Sequence, residues 1–230
     1  RFKYEGVDIA TPNPNAFPSL IFIGDSHMAQ YYLRAQRLSE REHVNFGMIA
    51  KAGWFLFNDQ RMGDYARAVK AIVADKRVHT LVIGSMWGEI KEEEFYQVAA
   101  TVRPLLETRK DLKVYVMLDY PWTPNVGGQQ GIYDPLKHVN RITGDAVGMV
   151  QPFPAADDWK RGNEEIQRIL GDAAEYIDPT PIVCPGQKCN LQAWYRDDDH
   201  LQPKRIEADG IWVDRIFEHA AAAESKERSR

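Results

Sequence analysis

Short apolar runs alternate with amphipathic helical patterns along this chain. Five runs predict buried strands, because each is only a few residues long, apolar and bounded by polar or turn-forming residues. They cover residues 19–23, 44–50, 80–84, 114–118 and, in a shorter form, 175–178. Apolar side chains at helical spacing separate these runs, and they predict helices near residues 28–38, 62–73, 95–105, 157–170 and 203–220.

Strands separated by helices predict right-handed crossover connections and a parallel sheet covered on both faces. We therefore expect an α/β protein, a three-layer α/β/α sandwich with a flavodoxin-like, five-stranded parallel sheet. A chain of 230 residues, 44% of them hydrophobic, is long enough to bury one full core. We expect residues 1–18 to form a linker or N-terminal arm, residues 19–220 a single domain, and residues 221–230 a flexible tail.

The composition narrows the classes of partner. A formal net charge of −4 gives no electrostatic reason to expect nucleic acid or a polybasic contact with a membrane. No apolar run approaches the ~20 residues that a membrane helix needs, and no signal peptide is present. The chain begins at Arg1 in a polar stretch that contains Pro12 and Pro14. We expect such a start in a domain excised from a longer protein, so missing targeting signals say little about the native protein.

The junction between the first predicted strand and the first predicted helix carries Gly24, Asp25, Ser26 and His27 in succession. The turn places Ser26 at the carboxyl edge of the sheet, where parallel sheets bind their ligands. The backbone N–H of Ser26 lies at the start of a helix, where unpaired donors and the helix dipole favour a developing negative charge. This position suits a nucleophilic serine, although a Gly-Asp-Ser turn alone is also a common loop.

Near the other end of the chain, Asp197, Asp198 and Asp199 directly precede His200. A serine becomes nucleophilic when a base accepts its proton, and a carboxylate can fix the tautomer of that base. Alone, this run could be a solvated acidic turn. Since no further His or Cys stands at ligand spacing, we predict neither a metal site nor a cofactor. Together with the serine turn, the run predicts a serine hydrolase or acyltransferase.

The two blocks resemble those of the SGNH hydrolases, also called the GDSL family. More narrowly, the chain resembles the periplasmic SGNH domain fused to the C-terminus of bacterial acyltransferase-3 membrane proteins, which O-acetylate cell-surface polysaccharides. The similarity spans about residues 19–217, most of the chain. It rests on the Gly-Asp-Ser-His form of the first block, on the run Val82-Ile83-Gly84-Ser85-Met86-Trp87, on Cys184 and Cys189 after Ile177-Asp178-Pro179, and on Tyr195-x-Asp197-Asp198-Asp199-His200-Leu201.

The resemblance implies roles for the residues of the first and last blocks. Ser26 would be the nucleophile, and His200 the general base that takes its proton and later returns one to the leaving group. Asp197 would orient the imidazole. Spacing alone leaves Asp198 and Asp199 as alternatives for that role, and the Asp-x-x-His pattern of the family selects Asp197. We expect His27, one residue into the helix, to make a structural hydrogen bond rather than to transfer protons.

The oxyanion hole departs from the family pattern. Its expected backbone donors are Ser26 and, after the second strand, Gly53. The third family donor is an Asn, and Met86 occupies that position here. A methionine side chain cannot donate a hydrogen bond, and loss of one oxyanion donor costs about 10²–10³ in kcat. Either another group substitutes or the enzyme hydrolyses slowly, which would suit an acyltransferase.

Two tryptophans are candidates for a substrate pocket. Trp87 follows the third strand and could form a wall of the pocket, but a core tryptophan fits its position equally well. Trp122 lies in the long, Pro- and Gly-rich stretch 120–153, and such long connections are often functional. It could stack on a sugar ring, or it could pin this stretch to the body of the domain.

Cys184 and Cys189 flank a turn-forming segment that could bring them together. Two unrelated thiols are the alternative reading, and two candidate ligands are too few for a zinc site. The family resemblance favours a disulfide, which would stabilise the fold by about 2 kcal/mol through loop closure. A disulfide in turn implies an oxidising compartment.

The resemblance implies an O-acetyltransferase that passes an acetyl group through Ser26 to a hydroxyl of a surface polysaccharide, such as lipopolysaccharide O-antigen. The donor would be an acyltransferase-3 membrane domain of the same polypeptide. The domain would then be periplasmic, tethered to the inner membrane by an N-terminal transmembrane domain absent from this chain. Two alternatives remain: a free-standing carbohydrate acetyl-esterase with the same residues, and a catalytically silent carbohydrate-binding module. No nucleic-acid partner is expected.

Overall fold

The computed structural model describes residues 1–51, 63–121, 150–151, 158–187, 189–190, 194–195 and 200–229. The strands are β1 (Phe2–Tyr4), β2 (Val7–Ile9), β3 (Leu20–Gly24), β4 (Phe46–Ala50), β5 (Thr80–Gly84), β6 (Lys113–Met117), β7 (Val150–Gln151), β8 (Glu175–Ile177) and β9 (Cys189–Asn190). The α-helices are α1 (Ser26–Ala29), α2 (Tyr32–Glu42), α3 (Asp64–Ala74), α4 (Glu92–Thr108), α5 (Asp158–Leu170), α6 (Thr180–Val183), α7 (Pro203–Asp209) and α8 (Asp214–Arg228).

Five parallel strands form the central sheet in the order β4-β3-β5-β6-β8. This confirms the predicted α/β fold with a five-stranded parallel sheet. In register, Gly24 at the end of β3 lies between Ala50 of β4 and Gly84 of β5. The segments that follow these three strands therefore leave the sheet at the same carboxyl edge.

The predicted strand ends differ from the observed ones by at most two residues. The largest difference is at β4, which begins at Phe46 rather than at Val44. Val44 instead closes the end of α2: its N–H donates to the carbonyl of Ser39 at 3.2 Å, and its own carbonyl accepts from the Ser39 hydroxyl at 2.6 Å. Its backbone therefore pairs with the end of α2.

Alternate side chains of the strands enter two separate cores, one on each face of the sheet. In β3, Phe22 faces a core shared with α2 and α8. Its neighbours Ile21 and Ile23 face the other core, shared with α3, α4 and α5. All three side chains are fully buried. This alternation in a strand covered on both sides produces the predicted three-layer sandwich.

A buried arginine fixes the C-terminal helices against α2. The guanidinium of Arg34 donates to both carboxylate oxygens of Asp214, at 2.6 and 2.8 Å, and to the carbonyl of Glu207 at 2.8 Å. Such a two-pronged ion pair is geometrically specific. It holds the end of α7 and the start of α8 on α2, and so supports the chain that follows His200.

The N-terminal residues pack onto the edge of the sheet. Strands β1 and β2 form an antiparallel hairpin, and Ala10 exchanges backbone hydrogen bonds of 3.1 and 2.8 Å with Met48 of the edge strand β4. Val7 and Ile9 are buried. At the other end, α8 continues to Arg228, beyond the predicted domain end at 220, because alanines 220–223 favour helix.

In the part of the chain described above, none of the helices combines the length and the hydrophobicity needed to cross a bilayer.

Candidate active site

Ser26 begins helix α1 directly after strand β3, at the carboxyl edge of the sheet, as the pattern predicts. Its side chain is partly exposed. The turn depends on Gly24, because a Cβ there would lie 1.9 Å from the carbonyl oxygen of Gly84. Strands β3 and β5 therefore approach closely just before Ser26, and any side chain at position 24 would force them apart.

The carboxylate of Asp25 ties the serine turn to the end of β5. One oxygen accepts the backbone N–H of His27 at 2.9 Å and so caps helix α1. The other accepts the Ser85 hydroxyl at 2.7 Å and the backbone N–H of Met86 at 2.9 Å. Asp25 is buried. Ser85 and Met86, at the position of the family's third oxyanion donor, thus support the serine turn through Asp25.

His200 lies beside the serine turn. Its ring packs against that of His27 with the centroids 5.1 Å apart and the planes at 61°. Residues 196–199 precede it, and the flanking residues Tyr195 and Leu201 form an antiparallel bridge. The fold therefore brings together the first and last blocks, which are more than 170 residues apart in the sequence.

His27 also contacts a buried acid. Its Nδ1 lies 3.2 Å from Oδ1 of Asp119, and its ring stacks on Tyr120 with centroids 5.4 Å apart. This fits the structural hydrogen bond predicted for His27, and it adds that the partner is a carboxyl group. Because the Asp119 carboxyl is fully buried, desolvation raises its pKa, and the neighbouring His27 opposes that rise.

Asp119 is a site residue that the sequence analysis did not single out. It lies two residues beyond the end of strand β6, and its backbone is held by the amide of Asn163 on α5, through hydrogen bonds of 2.8 and 2.9 Å. The position offered a signal, since ligand-binding residues gather beyond the carboxyl ends of parallel strands. No such signal marked Asn163, because the packing of α5 determines which residue its side chain contacts.

Cys184 and Cys189 are joined in a disulfide, and both are buried. The hydroxyl of Tyr195 lies 3.6 Å from the sulfur of Cys184, and the Tyr195 ring packs edge-on against Tyr120. The same hydroxyl donates to the carbonyl of Pro121. The disulfide therefore supports Tyr195, which bridges to Leu201, the residue after His200.

Trp87 belongs to the core. Its side chain is fully buried, its indole N–H donates to the carbonyl of Met117 at 2.8 Å, and its ring stacks on Phe95. Of the two readings of this residue, the structure favours a core tryptophan over a pocket wall. Buried tryptophans usually pair their N–H in this way.

Three predicted site residues fall outside the described residues. They are Asp197, in 196–199, Gly53, in 52–62, and Trp122, in 122–149. The orienting carboxylate, the second oxyanion donor and the second pocket tryptophan thus stay predictions.

A family model for the SGNH domain that is fused to AT3 domains matches residues 4–204. The chain belongs to this family. The match extends over the serine turn, the disulfide and His200, and it includes most of the N-terminal arm. None of the curated protein sequences compared with this SGNH domain matches it.

Solved structures share the fold of this SGNH domain. The periplasmic domain of a lipopolysaccharide acetyltransferase from Salmonella ser. Paratyphi A is similar over 88% of this chain and 84% of its own, with a TM-score of 0.62 and 10% identity. A proposed SGNH hydrolase from Slackia heliotrinireducens is similar over 90% of this chain and 96% of its own, with a TM-score of 0.51 and 18% identity. At such low identity, the likeness shows the fold alone.

Proposed function

We propose that this SGNH domain is a serine-dependent O-acyltransferase that carries an acetyl group on Ser26 and passes it to a hydroxyl of a cell-surface polysaccharide. The main support is the 5.1 Å contact between the rings of His27 and His200. A serine nucleophile needs a base at close range, and this contact sets His200 against the residue that follows Ser26.

In the first half-reaction, His200 accepts the proton of the Ser26 hydroxyl while Oγ attacks the carbonyl carbon of the acetyl donor. Negative charge develops on the carbonyl oxygen, and the backbone N–H groups of Ser26 and Gly53 would stabilise it. The bond to the leaving group then breaks, and His200 returns the proton to that group. An acetyl ester remains on Ser26.

In the second half-reaction, a carbohydrate hydroxyl attacks this ester and His200 accepts its proton. The bond between the acetyl carbon and Ser26 Oγ breaks, and Ser26 recovers the proton from His200. Asp197 would hold the imidazole in the tautomer that both steps need. With water in place of the carbohydrate, the same residues would act as an acetyl-esterase.

The surroundings of Met86 predict slow hydrolysis, which would suit an acyltransferase. Met86 has no side-chain donor, and its backbone N–H donates to Asp25 at 2.9 Å. The Ser85 hydroxyl donates to the same carboxylate at 2.7 Å. The hydroxyl of Ser85 and the backbone N–H of Met86 thus both support the serine turn. A hole with one donor fewer lowers kcat by about 10²–10³, and it slows attack on the acetyl ester by water and by a carbohydrate hydroxyl alike.

The comparisons support the proposed donor, acceptor and compartment. The matching family is described as fused to AT3 domains, which supports a membrane acyltransferase domain as the acetyl donor. The Salmonella domain of similar fold is periplasmic and belongs to a lipopolysaccharide acetyltransferase. We extend both properties to this chain: a periplasmic location and a polysaccharide acceptor such as lipopolysaccharide O-antigen.

The test is acetylation of the domain by p-nitrophenyl acetate, followed by intact-mass measurement and peptide mapping. We expect one acetyl group on Ser26. Ser26→Ala should abolish it, and His200→Ala should slow it by several orders of magnitude, because triad members act as a unit. Asp197→Asn should cost less than His200→Ala but still a large factor.

A carbohydrate acceptor then separates the enzyme classes. Transfer to an added O-antigen fragment in competition with water supports the acyltransferase, whereas fast hydrolysis that ignores the acceptor supports the esterase. If a folded sample shows no acetylation of Ser26, both enzyme readings fail and the binding module remains.

A further inference from the structure

Gln30 connects the helix of Ser26 to the residue after His200. Its backbone N–H donates to the Ser26 carbonyl at 3.3 Å, which places both residues on one turn. Its side-chain oxygen accepts the backbone N–H of Leu201 at 2.7 Å, and its side-chain nitrogen donates to the Tyr120 hydroxyl at 3.0 Å. Gln30 is only 4% exposed, so these bonds are shielded from water.

Leu201, the residue after His200, is fixed in the fold. Its side chain is fully buried, and it forms an antiparallel bridge with Tyr195. The next residue, Gln202, donates its backbone N–H to the carbonyl of Trp194 at 2.7 Å. These bonds join Leu201 and Gln202 to Trp194 and Tyr195, and Gln30 joins Leu201 to helix α1.

The amide of Gln30 suits this task because it is both acceptor and donor. The N–H of Leu201 can only donate, which assigns the side-chain oxygen of Gln30 to it. The Tyr120 hydroxyl lies 3.0 Å from the NH₂ group and 3.2 Å from that oxygen. Removal of the amide would leave the buried N–H of Leu201 without this acceptor, which is unfavourable. The Leu201 backbone would then be free to move relative to Ser26.

We propose that Gln30 is a positioning residue that sets the distance between His200 and Ser26 by holding the Leu201 backbone. This inference rests on the proposed function for its catalytic consequence. In this role the Gln30 side chain bonds to Leu201 and Tyr120. It acts through the backbone on which the base is mounted.

The main variants are Gln30→Met, which keeps the length but removes the amide, and Gln30→Glu, which keeps an acceptor oxygen. Ser39→Ala is the matched control, because it removes another buried hydrogen bond, of 2.6 Å, to the carbonyl of Val44. The rate of Ser26 acetylation by p-nitrophenyl acetate should fall by about 10²-fold in Gln30→Met, as expected for a reacting group misplaced by about 1 Å. Gln30→Glu should recover most of this rate, and Ser39→Ala should keep it.

A second measurement follows His200 without relying on activity. We expect the ring NMR resonances of His200 and the amide-exchange protection of Leu201 to change in Gln30→Met and to stay unchanged in Ser39→Ala. If Gln30→Met alters neither the rate nor these signals, the positioning role is wrong. It is also wrong if Gln30→Glu fails to recover them. If the wild-type serine is never acetylated but the His200 and Leu201 signals respond as expected, the proposed function fails and the positioning role stands.

Discussion

Oδ1 of Asp119 lies 3.2 Å from Nδ1 of His27, and both groups are buried. The His27 ring also contacts His200, 5.1 Å away between centroids. A buried carboxyl–imidazole pair thus packs against the proposed general base. Buried polar groups of this kind are costly unless they are hydrogen-bonded, and Asp119 supplies that bond for His27.

Replacement of Asp119 by leucine should destabilise the domain. The change leaves His27 Nδ1 and the backbone N–H of Tyr120, which donates to Asp119 at 3.1 Å, without this acceptor. We expect a loss of about 1–3 kcal/mol in the free energy of unfolding by urea. Asp119→Asn keeps an acceptor oxygen and should lose less. Equal stability of Asp119→Leu and wild type would contradict this assignment.

Replacement of Asp25 by alanine should loosen the link between the serine turn and β5. Asp25 accepts from His27, Ser85 and Met86, so three donors lose their acceptor at once. Ser85→Ala removes one donor and should cost about 1 kcal/mol, whereas Asp25→Ala should cost clearly more. Urea unfolding measures both losses of stability. Acetylation of Ser26 should fall more in Asp25→Ala than in Ser85→Ala, because the turn is disturbed more. Similar stabilities of the two variants would show that Asp25 does not bridge the blocks.

The strands of the sheet could be predicted from the local pattern of apolar residues, and the reason is physical. Strands buried on both faces must be short and apolar, so runs such as 80–84, which coincides with β5, are visible without tertiary information. The serine turn was visible for a similar reason, because a strand, a turn and a helix follow one another within ten residues of the chain. The family resemblance predicted the disulfide between Cys184 and Cys189.

The hydrogen bonds that support the site could not be predicted from the sequence in the same way. Gln30 contacts Leu201 across 171 residues of chain, and Asn163 contacts Asp119 across 44. Neither partner follows from spacing, since each depends on how helices dock onto the finished sheet. Trp87 shows that the sequence can also suggest a site residue that is not one. Its type and position suited a pocket, but it packs against Phe95 and the Met117 carbonyl as part of the core.

Reduction of the disulfide should lower stability by a modest amount. The bond between Cys184 and Cys189 closes a loop with a sequence separation of 5, and closure of so short a loop contributes about 2 kcal/mol in the chain-entropy model. Urea unfolding with and without reductant should show this difference in wild type. The Cys184→Ala, Cys189→Ala double variant should show no effect of reductant. A urea midpoint of the wild type that is the same with and without reductant would contradict a stabilising role of the disulfide.

The ion pair of Asp75 with Arg77 should make stability depend on acid pH. Hydrogen bonds from Arg77 lower the pKa of Asp75 from 3.8 to about 2. Because the folded-state pKa is the lower one, the pair stabilises the fold above pH ~4 and loses this effect as the pH falls towards 2. Arg77 is largely exposed, so screening should limit the effect to about 1 kcal/mol or less.

Asp75→Asn is the test of that pair. Urea unfolding between pH 2 and 6 should show a smaller loss of stability on acidification in Asp75→Asn than in wild type, with the two converging at the acid end of the range. Arg67→Gln is a control, since it breaks the exposed ion pair of Arg67 with Asp64, and such pairs contribute little. A difference between Asp75→Asn and wild type that is constant over this range would contradict the lowered pKa.

Gly162 on α5 should not tolerate even a methyl group. A Cβ at this position would lie 2.3 Å from the carbonyl carbon of Trp87 and 2.6 Å from the backbone nitrogen of Gly88. Both contacts are with backbone, which cannot rotate away, so α5 would have to move off the segment Trp87–Glu89. The next residue, Asn163, holds Asp119, and the movement would therefore reach the site.

Helix propensity and packing predict opposite results for Gly162→Ala, which makes the variant decisive. Propensity alone would stabilise α5 by about 1 kcal/mol, because alanine is the better helix former. Overpacking in a closely packed core costs about 1–3 kcal/mol and more where backbone must shift, so we expect a net loss of stability in urea and slower acetylation of Ser26. Glu164→Ala, at an exposed position of the same helix, should change stability by less than about 0.5 kcal/mol. A Gly162→Ala variant more stable than wild type would mean that α5 does not approach the Trp87 backbone this closely.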